Sequence, residues 1–236
     1  MRGDRQPFSP TELAQLSRCE SQVLFDHRYG VKRSKHWQKR SAEGRVVHAR
    51  MHNEVTQPSP QGKKRMLIVI IIAALVALML AILALQGGGR SSDALLPPEL
   101  KGAELWASEA TMVRKKPVHI RGRPDEVWLK DGRRTIVETK SREGRVFDGD
   151  RMQLAAYAYI LRGDGGPPLA PFAFVRFTGG ELSFSKVRLK PDEDVIAAHR
   201  QLAALKSGRA DPGFAKQAAL CAGCGHRERC ASPKAA

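Results

Sequence analysis

Gly122-Arg-Pro-Asp125-Glu-Val-Trp-Leu-Lys130-Asp131-Gly132-Arg-Arg-Thr-Ile-Val-Glu138-Thr-Lys140 reads as two short β-rich runs joined by Asp131-Gly132. An Asp-Gly pair in that setting is a two-residue hairpin signal. If those two residues form the loop, Lys130 pairs with Arg133, and counting outward sets Asp125 directly opposite Glu138. Opposed residues of this kind have Cβ atoms about 4.5–5.5 Å apart, and like charges there are destabilising on their own. A divalent cation removes the conflict. Carboxylate oxygens are the ligands Mg²⁺ and Mn²⁺ prefer, and such an ion can bind a phosphate, activate a water and stabilise a leaving oxygen. Lys140 lies two residues beyond Glu138, so on a strand it points to the same face. Its ammonium can hold the attacking water and offset negative charge. Alone, a D…ExK spacing more often marks solvent-facing neighbours and a turn cap; the hairpin arithmetic and the companion motifs favour a site.

Outward from this hairpin, Glu104–Val113, Val118–Ile120, Glu126–Lys130, Arg133–Thr139 and Pro171–Phe177 carry short apolar runs bounded by turn residues and are expected as strands. Arg151–Leu161 and Asp192–Ser207 repeat apolar residues at helical intervals. Ser9–Gly30 is expected as a helix with a capped start at Ser9-Pro10-Thr11-Glu12, placing Cys19 on it, and Ala42–Glu54 as a second helix carrying His48. The fold class is α/β.

The chain of 236 residues is long enough for one medium domain and a small appended module. Lys and Arg number 40 against 24 Asp and Glu, a formal charge of +16, which calls for an anionic partner, nucleic acid or acidic lipid. Met66–Leu85 is twenty apolar residues without charge, Gly or Pro, between a Pro- and Gly-bearing linker at Gln57–Lys64 and a connector at Gly87–Pro98. As a helix it would be about 30 Å long, the depth of a bilayer's hydrocarbon core, and it is expected to associate with a membrane.

Cys19 stands apart from Cys221, Cys224 and Cys230, whose C-x2-C-x5-C spacing closes the sequence. No secretory signal opens the sequence, so a disulfide framework is not expected and a reduced, cytoplasmic setting is. Four thiolates suit zinc or an iron–sulfur cluster; the spacing does not separate them, and His226 could compete as a ligand.

Gly44-Arg-Val-Val-His48, Ser108-Glu109, Gly122-Arg-Pro-Asp125, Val137-Glu138-Thr-Lys140 and Gln153-Leu-Ala-Ala-Tyr157, in that order, resemble the PD-(D/E)XK nucleases, specifically the RecB-like branch that includes the CRISPR-associated iron–sulfur exonucleases. The resemblance covers nearly the whole chain except the hydrophobic helix, which stands as an insert, and implies a restriction-endonuclease-like core, a mixed central sheet flanked by helices, with a four-cysteine cluster joining the N- and C-terminal parts. It divides the chain into an N-terminal helical part (1–58), a linker with the membrane-associated helix (59–90), the catalytic core (91–218) and a cysteine tail (219–236). His48, Asp125 and Glu138 would be ligands of Mg²⁺ or Mn²⁺, with the Thr139 carbonyl as a fourth, and Lys140 the catalytic lysine. Gln153 and Tyr157 would line the DNA side. They are four apart on one helix face, where a Gln can bond a phosphate and a Tyr can stack on an unpaired base. Glu109 would support the ligands or pair with a nearby Arg. Cys19, Cys221, Cys224 and Cys230 would hold a [4Fe–4S] cluster, Zn²⁺ being the alternative.

The activity implied is Mg²⁺- or Mn²⁺-dependent exodeoxyribonuclease action on single strands or free ends, in repair or CRISPR-type foreign-DNA processing. Expected partners are DNA, the membrane through residues 66–85, and a second copy or CRISPR adaptation proteins. The alternative is a catalytically silent, membrane-associated iron–sulfur DNA-binding or scaffold protein. One crossing at Met66–Leu85 would part Cys19 and His48 from Cys221, Asp125 and Glu138. The segment is therefore expected to enter the membrane without crossing, or to pack between protomers, with the protein on the cytoplasmic face.

Overall fold

Segments on both sides of the hydrophobic run build one body of sheet and helices. The computed structural model describes residues 7–32, 35–56, 93–215 and 217–232; the helix expected at Met66–Leu85 and its linkers up to residue 90 lie outside the described residues. Among the described residues no helix is long and apolar enough to cross a membrane.

The sheet has five strands, β1 (Glu104–Ser108), β4 (Glu126–Lys130), β5 (Arg133–Lys140), β6 (Phe172–Phe177) and β7 (Ser183–Arg188), in the order β1-β4-β5-β6-β7. All neighbours are antiparallel except β5 and β6. That one parallel pair needs a crossover, supplied by helix α4 (Asp148–Arg162). A separate ribbon pairs β2 (Met112–Arg114) with β3 (Ile120–Gly122). The β4–β5 turn is the expected two-residue loop: Lys130 pairs with Arg133, and Asp131 and Gly132 take φ of 48° and 71°, the positive values such a turn requires.

Alternation along the strands sends Val127, Ile136, Ala173, Val175 and Val187 to one face, against Leu154, Ala158 and Leu161 of α4. The far side of α4 packs on α1 (Pro10–Leu16), α2 (Glu20–Tyr29) and α5 (Asp192–Lys206) through Leu13, Val23, Ala155, Tyr159 and Leu202. A helix covered on both sides must be apolar nearly all round, and Met152 to Leu161 is buried but for Gln153, which is half-buried. On the opposite face of the sheet, Trp128, Val137 and Phe174 are covered by Leu96 and Leu100, with Val55 of α3 (Lys35–Thr56) packed against them. The chain thus leaves at the end of α3 and rejoins at Leu96 over the same apolar cluster.

Several expected boundaries need correction. The helix expected over Ser9–Gly30 is two helices. Ser9 and Glu12 form a reciprocal cap at the start of α1, but the amides of Arg18 and Cys19 both close on the Gln15 carbonyl at 3.0 Å and end it. Cys19 is therefore the extended N-cap of α2 rather than a helical residue. Glu104–Val113 is broken at Glu109, whose φ is 48°, into β1 and β2. The strand expected at Val118–Ile120 begins only at Ile120. Strand β7 and a short helix α6 (Ala218–Ala222) were not expected; β7 is an edge strand with one buried side chain, Val187, too little alternation to reveal it.

Candidate active site

Strand β5 carries Glu138 and Lys140 to the face covered by α4, and Asp125 sits one residue before β4. Glu126 pairs with Val137, so continuing that register sets Asp125 opposite Glu138. The Thr139 N–H donates to Asp125 Oδ2 at 2.7 Å. Glu138 is only 3% exposed. Its Oε1 accepts from Lys140 Nζ at 2.8 Å and from Gln153 Nε2 at 2.7 Å, and Lys140 Nζ also donates to Gln153 Oε1 at 2.8 Å. Gln153 lies 3.2 Å from the Tyr157 hydroxyl. From the other side, α3 brings His48 Nδ1 to 3.5 Å from Asp125 Oδ2. One turn further along, His52 Nδ1 meets Ser108 Oγ at 2.9 Å, and that hydroxyl donates to the Asp125 carbonyl at 3.1 Å. Glu109 pairs with Arg123 at 3.6 Å.

Burial, then the neighbouring Glu138, push the Asp125 pKa well above the usual carboxylate range, against the Thr139 N–H and Lys140. Burial also works against the Lys140 ammonium, but Glu138 outweighs it, with Asp150 and Asp125, and holds the lysine pKa above its ordinary value. His48 is shifted down, chiefly by burial, which keeps a ring nitrogen free of its proton. Burial and Glu138 raise the Tyr157 pKa, so its hydroxyl stays protonated.

The donor set fits a divalent cation. Glu138 Oε2 is buried without a hydrogen-bond partner, beside a carboxyl that its charge destabilises and an imidazole held neutral. Mg²⁺ or Mn²⁺ would satisfy the first and relieve the second. The acids do not converge as they stand, and among the described residues no group of three or more His, Cys, Asp or Glu is placed to hold a metal ion. Lys140 and Gln153 draw Glu138 one way, while the Thr139 amide holds Asp125.

The sequence profile of the PD-(D/E)XK nuclease superfamily matches residues 7–231. The chain belongs to that superfamily. No curated protein matches it. Among solved structures it is similar to SSO0001, at 16% identity and a TM-score of 0.47 over 97% of this chain and 87% of that one. It is also similar to an exonuclease candidate from Eubacterium rectale, at 13% identity and a TM-score of 0.47 over 88% of this chain and 84% of that one.

In this PD-(D/E)XK chain Tyr157 departs from expectation. It is 5% exposed and packed among the apolar residues under the sheet, so its ring is closed to base stacking and only its hydroxyl reaches the site. The Thr139 side chain turns to the opposite face, where it accepts from Arg176 at 2.8 Å. Arg176 also pairs with the buried Glu126, which accepts from Trp128 Nε1 at 2.8 Å. This anchor behind β5 was not foreseen, since its partners are far apart in sequence. His52 was also missed, although its i, i+4 spacing from His48 was a usable signal.

Cys19, Cys221, Cys224 and Cys230 are free thiols that line one cavity of about 20 Å³. Burial raises the Cys19 thiol pKa, and Cys224 and Cys230 add to the rise. The expectation of a four-thiolate centre needs correcting to that extent: the sulfurs share a cavity but are not drawn into a metal-holding set. They hang from two separate supports, Cys19 from the cap of α2 and the other three from α6 and the turns that follow it. His226 is engaged through one ring nitrogen, while the other, Nδ1, is buried without a hydrogen-bond partner. Its Nε2 is 2.8 Å from Asp26 Oδ1 and its ring packs on Phe25, clasping the chain's two ends.

Proposed function

We propose that this superfamily member is a Mg²⁺- or Mn²⁺-dependent exodeoxyribonuclease of the RecB-like branch, acting on single-stranded DNA or free ends in repair or CRISPR-type processing. The observation that carries the reading is the buried, unpartnered Glu138 Oε2 on the residue whose register sets it opposite Asp125, with the Lys140 ammonium 2.8 Å from the other oxygen. Asp125, Glu138, neutral His48 and the Thr139 carbonyl would hold the ion, which when bound polarises a phosphodiester and a water. Lys140 Nζ is positioned to orient the attacking water and to offset charge on the phosphorus oxygens. Gln153 fixes Lys140 and Glu138 together, and the Tyr157 hydroxyl holds Gln153. The arrangement of Cys19, Cys221, Cys224 and Cys230 around one cavity supports a structural metal centre, [4Fe–4S] by the resemblance and Zn²⁺ otherwise. Met66–Leu85 supports attachment to the cytoplasmic face of a membrane; a second copy or CRISPR adaptation proteins are the further partners proposed.

The closed Lys140–Glu138 pair is the observation on the side of a catalytically silent DNA-binding scaffold. End-labelled single-stranded DNA incubated with anaerobically purified protein and Mn²⁺ decides between them. The wild type should shorten the strand from an end, with Lys140→Ala slower by about 10²-fold or more. Folded protein that binds the strand and leaves it intact would make it the scaffold. Iron and acid-labile sulfide in the same preparation mark the cluster, whereas zinc alone would remove it.

A further inference from the structure

This inference rests on the reading of the site as one that cleaves a nucleic-acid strand. We infer that Phe147 is a stacking platform for an unpaired nucleobase at the mouth of the active site, and that it selects single-stranded over duplex substrate. The ring stands at the N-cap of α4, six residues before Gln153, which is about 9 Å along the helix. The loop that carries it begins directly after Lys140. Residues 141–147 thus join the strand end that carries Lys140 to the start of the helix that carries Gln153.

The loop is braced. The Phe147 N–H donates to Asp150 Oδ2 at 2.8 Å, and the Arg142 guanidinium bonds that same carboxylate and the Arg145 carbonyl. Gly179 and Thr178 amides hold the Arg142 and Lys140 carbonyls at 3.3 and 3.0 Å. On this frame Phe147 is 45% exposed, with the Arg142 and Arg145 guanidinium carbons 4.9 and 5.6 Å from its ring centroid. Other exposed apolar side chains, such as Val46 and Phe214, are not joined to the catalytic strand in this way, and scattered ones need no explanation.

Charge separates a base from a phosphate as the ligand. Arg142 is committed to Asp150, and exposed Arg145 is flanked by exposed Glu143 and Asp148, so the charges of the lip nearly cancel. A lip of that kind does not clamp phosphates. What it offers is an aromatic surface, which any base can stack on without sequence preference. In a duplex the base faces are already covered by their neighbours.

The test uses the full chain in EDTA, so that nothing is cleaved, with a single-stranded oligonucleotide carrying 2-aminopurine and a duplex of the same length. The wild type should quench the fluorescence on binding. Phe147→Ala should lose the quench and bind the single strand about fivefold to a hundredfold more weakly, with duplex affinity unchanged and Phe147→Trp restoring both. Phe147→Leu keeps apolar bulk without the π face; it should melt like the wild type and still lose the quench. Quenching and affinity in Phe147→Leu equal to wild type would overturn the inference, as would an equal loss on duplex. No step here needs cleavage, so failure of the stacking inference, read from the quench, is distinguishable from failure of the nuclease reading, which is read from the end-labelled strand.

Discussion

At Asp125 the fold holds a carboxyl where its charge is unwelcome, and this has a measurable sign. Because the folded pKa lies above the ordinary value, through burial and Glu138, the fold favours the protonated form. Its contribution is therefore complete below the usual carboxylate range and declines as pH rises through that range to the raised pKa. Asp125→Asn removes the titration and keeps an oxygen for the Thr139 N–H. In EDTA it should melt higher than the wild type at pH 7–8, at about 2–4 °C per kcal/mol for a chain of this size, and the gap should narrow toward pH 4. Mn²⁺ should raise the melting temperature of the wild type and not of the variant. A variant less stable than wild type in EDTA at pH 8 would show that no such conflict exists. At this scale the site was legible where it follows from counting: a two-residue loop and a period of two put Asp125, Glu138 and Lys140 together. Depth was not legible. Helical spacing gives Tyr157 a face in common with Gln153, and says nothing of the apolar residues under the sheet that bury its ring.

Behind the strand that carries these residues, the Arg176–Glu126 pair ties three strands together. Arg176 of β6 bonds Glu126 of β4, Thr139 of β5 and the Leu95 carbonyl at 3.1 Å, and both charged partners are buried. Removing one member of such a pair leaves the other charged and desolvated, at a cost of about 3–5 kcal/mol, whereas replacing both with apolar groups is often neutral. Arg176→Met should lower the urea-unfolding free energy by that amount, and adding Glu126→Met should recover most of it. Equal losses in the single and double variants would mean the pair is not what holds these strands. The strands of the main sheet were legible from apolar alternation, except for the end of β1 at Ser108 and the edge strand β7, which buries too little to show any. The break between α1 and α2 was hidden for the opposite reason. Leu13, Leu16, Val23 and Leu24 keep one helical stripe across it, and only the closing of two amides on Gln15 reveals the stop.

The largest question is how one body accommodates a twenty-residue apolar run. His48 lies before that run and Asp125 after it, yet they are 3.5 Å apart; Asp26 and His226 are 2.8 Å apart. Val55 and Leu96 pack over one apolar cluster. A single crossing would set a hydrocarbon layer of about 30 Å between each of these pairs, so it is incompatible with the fold. Because both flanks pack over one apolar cluster, removal of residues 66–85 should leave the fold and its sites intact. The shortened protein should melt within a few degrees of the full chain and keep the same Mn²⁺-dependent cleavage. It should no longer sediment with vesicles of anionic phospholipid in high salt, where the full chain should. Salt matters because a charge of +16 binds such vesicles at low ionic strength with or without the apolar run. If the shortened chain fails to fold, the segment belongs to the core; if both forms stay in the supernatant at high salt, it packs against protein, and a second copy becomes its partner.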